Sequence, residues 1–172
     1  MRLFFALWPS EAVRADIAAA ADVLPDNCGR RVPNAKLHVT LAFIGNTDEA
    51  TYNCLVAAAA TVTVEPFDLN LSRFGYWPKP RLIWLGPHHM PPELLALVFK
   101  LRAVLEDCGM AADSRPYRPH ITLVRKVVRQ PPWPEVEPVH WPVAEFVLCH
   151  SKTTTQGPSY EVLRRWPLGS GT

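Results

Sequence analysis

The chain has 172 residues, a formal net charge of +2 and a pI near 8.4. Hydrophobic residues make up 48% of the sequence and charged residues 20%, which is typical of a globular protein with one substantial core or two small lobes sharing one. The small net charge excludes a protein that binds polyanions over its whole surface. No apolar run approaches the roughly 20 residues that a transmembrane helix needs, so we expect no membrane association.

Strand and helix patterns alternate along the first half of the chain. Residues 2–9 form an apolar run that ends at a proline, which predicts a strand. Ser10 is a favourable N-cap residue, and the apolar residues after it recur at helical spacing. The β-rich residues 37–44 predict a second strand, residues 47–59 a second helix and residues 64–74 a third strand.

The second half of the chain begins in the same way. Residues 81–87 form another apolar run that ends at a proline, and a helical pattern follows from Pro92 to a stop at Gly109. A basic, proline-containing loop then leads into a strand at 120–123, as such a loop also does in the first half. The opening strands begin at Arg2 and Arg81, nearly half of the chain apart. An internal duplication explains this correspondence.

The remaining patterns complete the prediction of the fold. Residues 143–151 and 160–168 predict two further strands. We therefore expect an α+β fold with two lobes, in which duplicated strand–helix–strand units place antiparallel sheets on either side of a central cleft. We assign residues 1–168 to a single bilobal domain and residues 169–172 to a flexible tail.

Each half of the chain contains one copy of the phrase His-x-Thr-Leu, at residues 38–41 and 120–123. The whole sequence has only six histidines, and the two in these phrases are separated by nearly half of the chain. A duplicated fold can therefore bring them face to face. Two imidazoles in one cleft can donate one proton and accept another near neutral pH, because their unperturbed pKa is about 6.5. The pair indicates acid–base chemistry.

Period-two alternation places His38 and Thr40 on one face of their strand, and His120 and Thr122 on one face of theirs. An imidazole beside a hydroxyl suits a tetrahedral oxyanion such as a phosphate. A single His-x-Thr on a strand is usually structural, but duplication at half-chain spacing favours a catalytic role. No other ligand with metal-binding spacing lies near either phrase, so we expect neither a metal nor another cofactor.

The four cysteines are widely scattered and show neither metal-binding nor redox spacing. The apolar run at the start of the chain is too short for the core of a signal peptide. We therefore expect a cytoplasmic protein with reduced thiols. The cysteines are Cys28, Cys54, Cys108 and Cys149.

The two motifs together resemble those of the 2H phosphoesterase superfamily. More narrowly, the chain is similar to the bacterial RNA 2′,3′-cyclic phosphodiesterases, which are also called 2′-5′ RNA ligases or LigT-like proteins. The resemblance covers nearly the whole chain, except that residues 127–141 are unusually rich in proline and tryptophan. It rests on the runs at 2–7, 37–45, 81–86, 115–123 and 160–168.

This resemblance implies a metal-independent enzyme that opens a terminal 2′,3′-cyclic phosphate on RNA and leaves a 2′-phosphate. It implies that His38 donates a proton and His120 accepts one, while Thr40 and Thr122 bind the phosphate. The reverse reaction with an RNA 5′-hydroxyl would give 2′-5′ ligation. The implied partners are RNA ends, tRNA fragments among them, or nucleotides, and we expect a monomer. The duplication alone does not distinguish the acid from the base.

Two alternative functions stay open on the sequence. The modest net charge permits a phosphodiesterase for small cyclic nucleotides instead of RNA ends. A non-catalytic module that binds RNA or nucleotides on the same fold is the other alternative, although the loss of a motif residue would have favoured it and both motifs are intact.

Arg125 and Tyr117 are further candidates for substrate contacts. Arg125 ends the second motif strand, but strict alternation directs its side chain away from His120 unless a bulge intervenes. Tyr117 lies in the basic loop before His120 and is the best candidate to stack on a base. Phe43 shares the apolar face of its strand, so we expect it in the core.

Overall fold

The computed structural model describes residues 1–169, which form three α-helices and ten β-strands. The helices are α1 (Glu11–Ala21), α2 (Glu49–Ala59) and α3 (Pro92–Asp107). The strands are β1 (Arg2–Leu7), β2 (Arg30–Arg31), β3 (Val39–Asn46), β4 (Phe67–Leu71), β5 (Arg73–Trp77), β6 (Leu82–Gly86), β7 (Ile121–Arg125), β8 (Val139–Val143), β9 (Glu145–Thr154) and β10 (Gly157–Pro167).

Eight of the strands form one antiparallel sheet in the order β10-β9-β1-β3-β7-β6-β5, with β2 paired to β7. The halves of this sheet meet between β3 and β7, where Val39 pairs with Ile121. The strands β4 and β8 form a separate antiparallel pair. The predicted α+β class with antiparallel sheets is confirmed, and the two motif strands lie side by side at the centre.

The helices begin close to the residues that the sequence predicts. The Ser10 side chain accepts a hydrogen bond from the Val13 amide at the start of α1. The Asp48 carboxylate accepts one from the Thr51 amide at the start of α2. Beyond α3, Gly109 adopts φ +74°, a left-handed conformation that favours glycine after a helix.

The main hydrophobic core lies between the sheet and the three helices, and it contains Leu3, Phe5 and Leu7 of β1. The alternate residues of β1 face the other way, where Phe4 and Ala6 form a smaller buried cluster with residues of β9. This second face of the sheet carries no helix within the described residues, so it is free to form the walls of a cleft.

One predicted strand differs from the structure, and one observed strand, β8, begins in a tract without a predicted element. The strand predicted at 64–74 is two strands, β4 and β5, which break at Ser72 and belong to different sheets. The proline-rich tract at 127–141 ends in β8, which pairs with β4. Of the predicted tail, the Gly169 amide donates a hydrogen bond to the Val64 carbonyl; residues 170–172 lie outside the described part of the chain.

The expectation of fully reduced thiols is wrong for one pair of cysteines. Cys54 of α2 and Cys108 at the end of α3 form a disulfide, although 54 residues separate them in sequence. The two helices pack against each other, which brings the two side chains together. Cys28 and Cys149 are free and buried. Among residues 1–169, no helix combines the length and apolarity needed to cross a membrane.

Candidate active site

Both motif histidines lie at the junction of the two half-sheets, directly before the strands β3 and β7. The Nδ1 atom of His38 is 2.7 Å from the Lys36 carbonyl oxygen, and the Nδ1 atom of His120 is 2.8 Å from the Arg118 carbonyl oxygen. A carbonyl oxygen can only accept, so each Nδ1 carries the proton. In the neutral rings, both Nε2 atoms are therefore free to accept a proton.

The motif threonines lie next to the histidines, as alternation predicts. The hydroxyl oxygen of Thr40 is 3.2 Å from Nε2 of His38, within hydrogen-bond distance. Thr122 lies in β7 opposite Trp84 of β6. Both threonines are half-buried, so their hydroxyls are accessible to a ligand at the junction.

Aromatic rings enclose His38. Trp8 is stacked on its imidazole, with 5.4 Å between ring centroids and 18° between planes. Phe4 and Tyr160 approach the imidazole at 5.1 Å each. Burial lowers the pKa of His38 to about 4, although the hydrogen bond to the Lys36 carbonyl opposes this effect. His38 is consequently neutral in the free protein at neutral pH.

His120 has a different environment. Its ring meets the edge of Trp77 at a centroid distance of 4.5 Å, and Trp77 in turn packs against Trp84. Burial lowers the pKa of His120, and the hydrogen bond to the Arg118 carbonyl opposes this effect. The duplicated motifs thus occupy unequal surroundings.

A bulge in β7 breaks the strict alternation that would direct Arg125 away from the histidines. Thr122 and Val124 pair with successive residues of β6, so Leu123 is the extra residue. Leu123 and Val124 are both buried, and the next residue, Arg125, is exposed. After burial, the charge of Arg125 is a further cause of the lowered pKa of both motif histidines, so its guanidinium lies near them.

Tyr117 occupies a different position from the one expected of a base-stacking residue. Its hydroxyl donates a hydrogen bond of 2.9 Å to the Thr40 carbonyl, and its ring packs against the main core. Burial raises the pKa of Tyr117 well above its ordinary value, so the phenol keeps the proton that it donates. The residue connects the loop before His120 to the first motif strand.

Phe43 is exposed, and the expectation that it belongs to the core is wrong. Its side chain is 68% exposed, and its ring lies 6.5 Å from that of Phe4 on the cleft side of the sheet. Two shifts in register between β1 and β3 break the period-two alternation, one on each side of Phe43. An exposed aromatic ring therefore extends the aromatic surface that begins at His38.

A comparison with known protein families matches residues 9–153 to the 2′-5′ RNA ligase superfamily. The chain belongs to this superfamily. It is 34% identical to an RNA 2′,3′-cyclic phosphodiesterase of Escherichia coli K12 over 175 residues, covering 97% of this chain and 96% of the relative. A protein of the same description from Thermus thermophilus is 34% identical over 184 residues, covering 98% of this chain and 90% of the relative.

Solved structures of superfamily members share the fold. The crystal structure of E. coli LigT in apo form matches with a TM-score of 0.91 and 32% identity, covering 98% of both chains. The structure of LigT complexed with 3′-AMP matches with a TM-score of 0.90 at the same identity and coverage.

Two residues near His38, Trp8 and Arg14, were not predicted from the motifs. Trp8 shares the cleft face of β1 with Phe4 and Ala6, and period-two alternation could have placed it there. Arg14 of α1 reaches the segment before His38, and no local pattern in its helix predicts this contact. Within the described residues, no group of three or more His, Cys, Asp or Glu side chains is arranged to hold a metal ion.

Proposed function

We propose that this chain hydrolyses a terminal 2′,3′-cyclic phosphate on RNA to a 2′-phosphate, with His38 and His120 as the general acid and base. The observation that carries the proposal is the pair of histidines at the junction of β3 and β7, each with its Nδ1–H donated to a backbone carbonyl and with Nε2 unprotonated in the neutral ring. The description of the E. coli and T. thermophilus relatives as RNA 2′,3′-cyclic phosphodiesterases supports the substrate.

In the proposed reaction, Nε2 of neutral His120 takes a proton from the water molecule that attacks phosphorus. Nε2 of protonated His38 gives a proton to the departing O3′, and the bond from phosphorus to O3′ breaks. This assignment follows the resemblance of both motifs to the superfamily. Positioned acid–base groups typically contribute about 10²–10⁴-fold in rate. With an RNA 5′-hydroxyl in place of water as the nucleophile, the same opening of the cyclic phosphate would form a 2′-5′ linkage and release O3′. The reverse cleavage of that linkage would use the two histidines in exchanged roles.

Thr40, Thr122 and Arg125 are proposed to bind the non-bridging oxygens of the phosphate. The hydroxyl of Thr40 is already beside Nε2 of His38, where a reacting phosphate must lie. The guanidinium of Arg125 supplies the positive charge that a pentacoordinate phosphate requires. These groups stabilise negative charge that increases in the transition state, and no metal ion takes part in the proposed steps.

The low pKa of each histidine is consistent with this cycle. Burial is the main cause, and the charge of Arg125 lowers both values further. A bound phosphodiester carries a negative charge that opposes both effects, so substrate binding raises the pKa of the histidines. His38 can then be protonated in the complex at a pH at which it is neutral in the free enzyme.

Six exposed cationic residues favour RNA over a small cyclic nucleotide as the substrate. They lie on three chain segments that meet at the end of β7, the strand after His120, and are called the cationic edge; none makes an ion pair within residues 1–169. Such a surface attracts the sugar–phosphate backbone of a nucleic acid. The residues of the cationic edge are Arg30, Lys79, Arg81, Arg125, Lys126 and Arg129.

Backbone contacts join the three segments that supply the cationic edge. Arg30 of β2 pairs with Arg125 of β7. The Val127 amide, directly after Lys126, donates a hydrogen bond of 3.1 Å to the Arg81 carbonyl. A mononucleotide can contact Arg125 at the site, whereas only a longer strand can also reach the other cations.

The reaction is tested with an RNA oligonucleotide that ends in a 2′,3′-cyclic phosphate. We expect complete conversion to a 2′-monophosphate, identified by resistance to a 3′-nucleotidase and by mass spectrometry, with the same rate in EDTA. Formation of a 3′-monophosphate would contradict the proposed direction of ring opening. Loss of activity in EDTA with recovery on adding a divalent cation would contradict the two-histidine mechanism.

The substrate class is tested by reversing charge on the cationic edge. In the double variant Lys126→Glu, Arg129→Glu we expect kcat/KM for the oligonucleotide to fall at least about tenfold at low salt, with a salt slope smaller by about 0.7 for each lost phosphate contact. Hydrolysis of a mononucleoside 2′,3′-cyclic phosphate should not change. Lys100→Glu on α3 is the control, and equal losses on both substrates would favour the small-nucleotide alternative.

A further inference from the structure

Arg14 of α1 connects the two chain segments that position the ring of His38. Its guanidinium donates hydrogen bonds to the carbonyl oxygens of Asn34 and Leu37, at 2.5 Å and 3.1 Å. A longer contact of 3.5 Å reaches the Pro9 carbonyl. Leu37 directly precedes His38. The Arg14 side chain therefore joins the loop between β1 and α1 to the segment that enters β3.

The residues whose carbonyls Arg14 binds adjoin those that contact the imidazole. The turn that begins at Asn34 contains Lys36, whose carbonyl accepts the Nδ1 proton of His38. Trp8, which directly precedes Pro9, is stacked on the same imidazole. The guanidinium also lies 5.4 Å from the centroid of the Trp8 ring, a cation–π distance. Arg14 thus contacts both chain segments that support the His38 ring.

The second half of the chain has no equivalent of this arrangement. When the two halves are aligned on the motif histidines, Ala96 falls at the position of Arg14, and an alanine cannot make these contacts. When they are aligned on the first residues of the opening strands, Pro87 falls at the position of Trp8. Around His120 the neighbouring ring is Trp77, which contacts the imidazole edge-on instead of stacking on it.

We propose that Arg14 is a positioning residue for His38, which holds the imidazole through Trp8 and the Asn34–Leu37 turn so that Nε2 faces the phosphate. The proposal rests on the proposed function, because it gives Arg14 a purpose in proton transfer at that atom. The proposal also distinguishes the two histidines. His38 is positioned by a cation outside the phosphate-binding groups, whereas His120 has no such positioning residue.

The charges around His38 agree with this role. Arg14 on α1, Arg125 on β7 and His120 before β7 all face it, and Tyr160 of β10 is the titratable group on the remaining side. After burial, the positive charges of Arg125, His120 and Arg14 lower the pKa of His38, in that order. No carboxylate pairs with Arg14 within residues 1–169. Removal of its charge therefore raises the pKa of His38.

The test compares Arg14→Gln and Arg14→Lys with the wild-type enzyme. In Arg14→Gln we expect kcat to fall about 10²-fold with little change in KM, because a misplaced acid slows proton transfer while the substrate contacts remain. The alkaline limb of the kcat profile should move to higher pH. Arg14→Lys keeps the charge but not the two-carbonyl contact, so its kcat should fall while the position of that limb stays close to wild type.

Nuclear magnetic resonance of the free protein separates this proposal from the proposed function. We expect wild-type His38 to show the Nδ1-protonated tautomer, and Arg14→Gln to show a higher pKa and a mixture of tautomers. Lys100→Gln is the matched control, since Lys100 of α3 also donates to a loop carbonyl, that of Thr63. The contradicting outcome is that both Arg14 variants show the same His38 tautomer, the same His38 pKa and the same kcat as Lys100→Gln. Arg14 would then have no positioning role, whichever substrate the enzyme takes.

Discussion

Val39 of β3 pairs with Ile121 of β7, and each of these residues directly follows a motif histidine. The pairing is antiparallel, so the two motifs meet at one junction, with each histidine directly before one of the two paired residues. Each motif brings one imidazole and one hydroxyl to this junction. We expect a phosphate bound there to lie between the two imidazoles, as an in-line displacement at phosphorus requires.

This arrangement predicts distinct losses for the two kinds of motif residue. His38→Ala and His120→Ala should each remove most turnover while leaving RNA affinity nearly intact, because the phosphate and backbone contacts remain. Thr40→Val and Thr122→Val should cost about 1.5–3 kcal/mol, the value of a hydrogen bond to a charged group. Hydrolysis and RNA binding are measured on the same four variants. A non-catalytic binding module predicts instead that the histidine variants lose affinity.

The dependence of activity on pH follows from the lowered pKa values. A productive enzyme needs one neutral and one protonated histidine, and in the free protein burial keeps both neutral down to a pH below 6.5. The optimum of kcat/KM should therefore lie on the acidic side of 6.5. In the complex the phosphate anion raises both values, so the kcat profile should lie at higher pH than that of kcat/KM. Coincident profiles would show that substrate binding does not shift the histidines.

The same pKa shift links stability to pH. The folded pKa of His38, about 4, lies below its unfolded value of 6.5, so its contribution to stability is present above pH 6.5 and is lost as the pH falls towards 4. The full loss is on the order of 3 kcal/mol. Urea unfolding of His38→Gln should show a weaker decline over this range than wild type. His89→Gln, at an exposed histidine, should retain the wild-type decline.

The sequence was sufficient to predict the duplicated strands and helices, because strict apolar spacing and capping residues act locally. It was also sufficient to place the His38 and Thr40 side chains next to each other, since both residues precede the first irregularity of β3. It failed at Phe43 and was undecided at Arg125, because bulges depend on how a strand pairs with its neighbour. The contacts of Arg14 could not be predicted either, because its partners are backbone carbonyls, which every residue carries.

Phe43 provides a test of the cleft surface that the bulges create. Its ring is 68% exposed and can stack on a base of the RNA, a contact usually worth about 1–3 kcal/mol. Phe43→Ala should raise KM for the oligonucleotide roughly 5- to 150-fold with little effect on stability. Phe99→Ala is the control, because that ring is 58% exposed on α3. Equal KM values for the two variants would exclude stacking on Phe43.

The spacing of the cysteines in the sequence could not predict the disulfide, because only the packing of α2 on α3 brings Cys54 to Cys108. Alkylation under denaturing conditions before and after reduction should count two free thiols and then four, the free pair being Cys28 and Cys149. The double variant Cys54→Ser, Cys108→Ser should lose about 2–4 kcal/mol of unfolding free energy, since the bridge closes a 54-residue loop of the unfolded chain.

The disulfide lies among the helices, whereas the histidines face the opposite side of the sheet. Below the melting temperature of the double variant, its kcat and KM should therefore match those of the wild type. Purification with and without a reductant serves as the second arm of the measurement. If four thiols react in protein isolated without reductant, the pair is reduced in the cell of origin and the variant should then unfold like wild type. A fall in kcat without a fall in stability would instead connect the helix layer to the site.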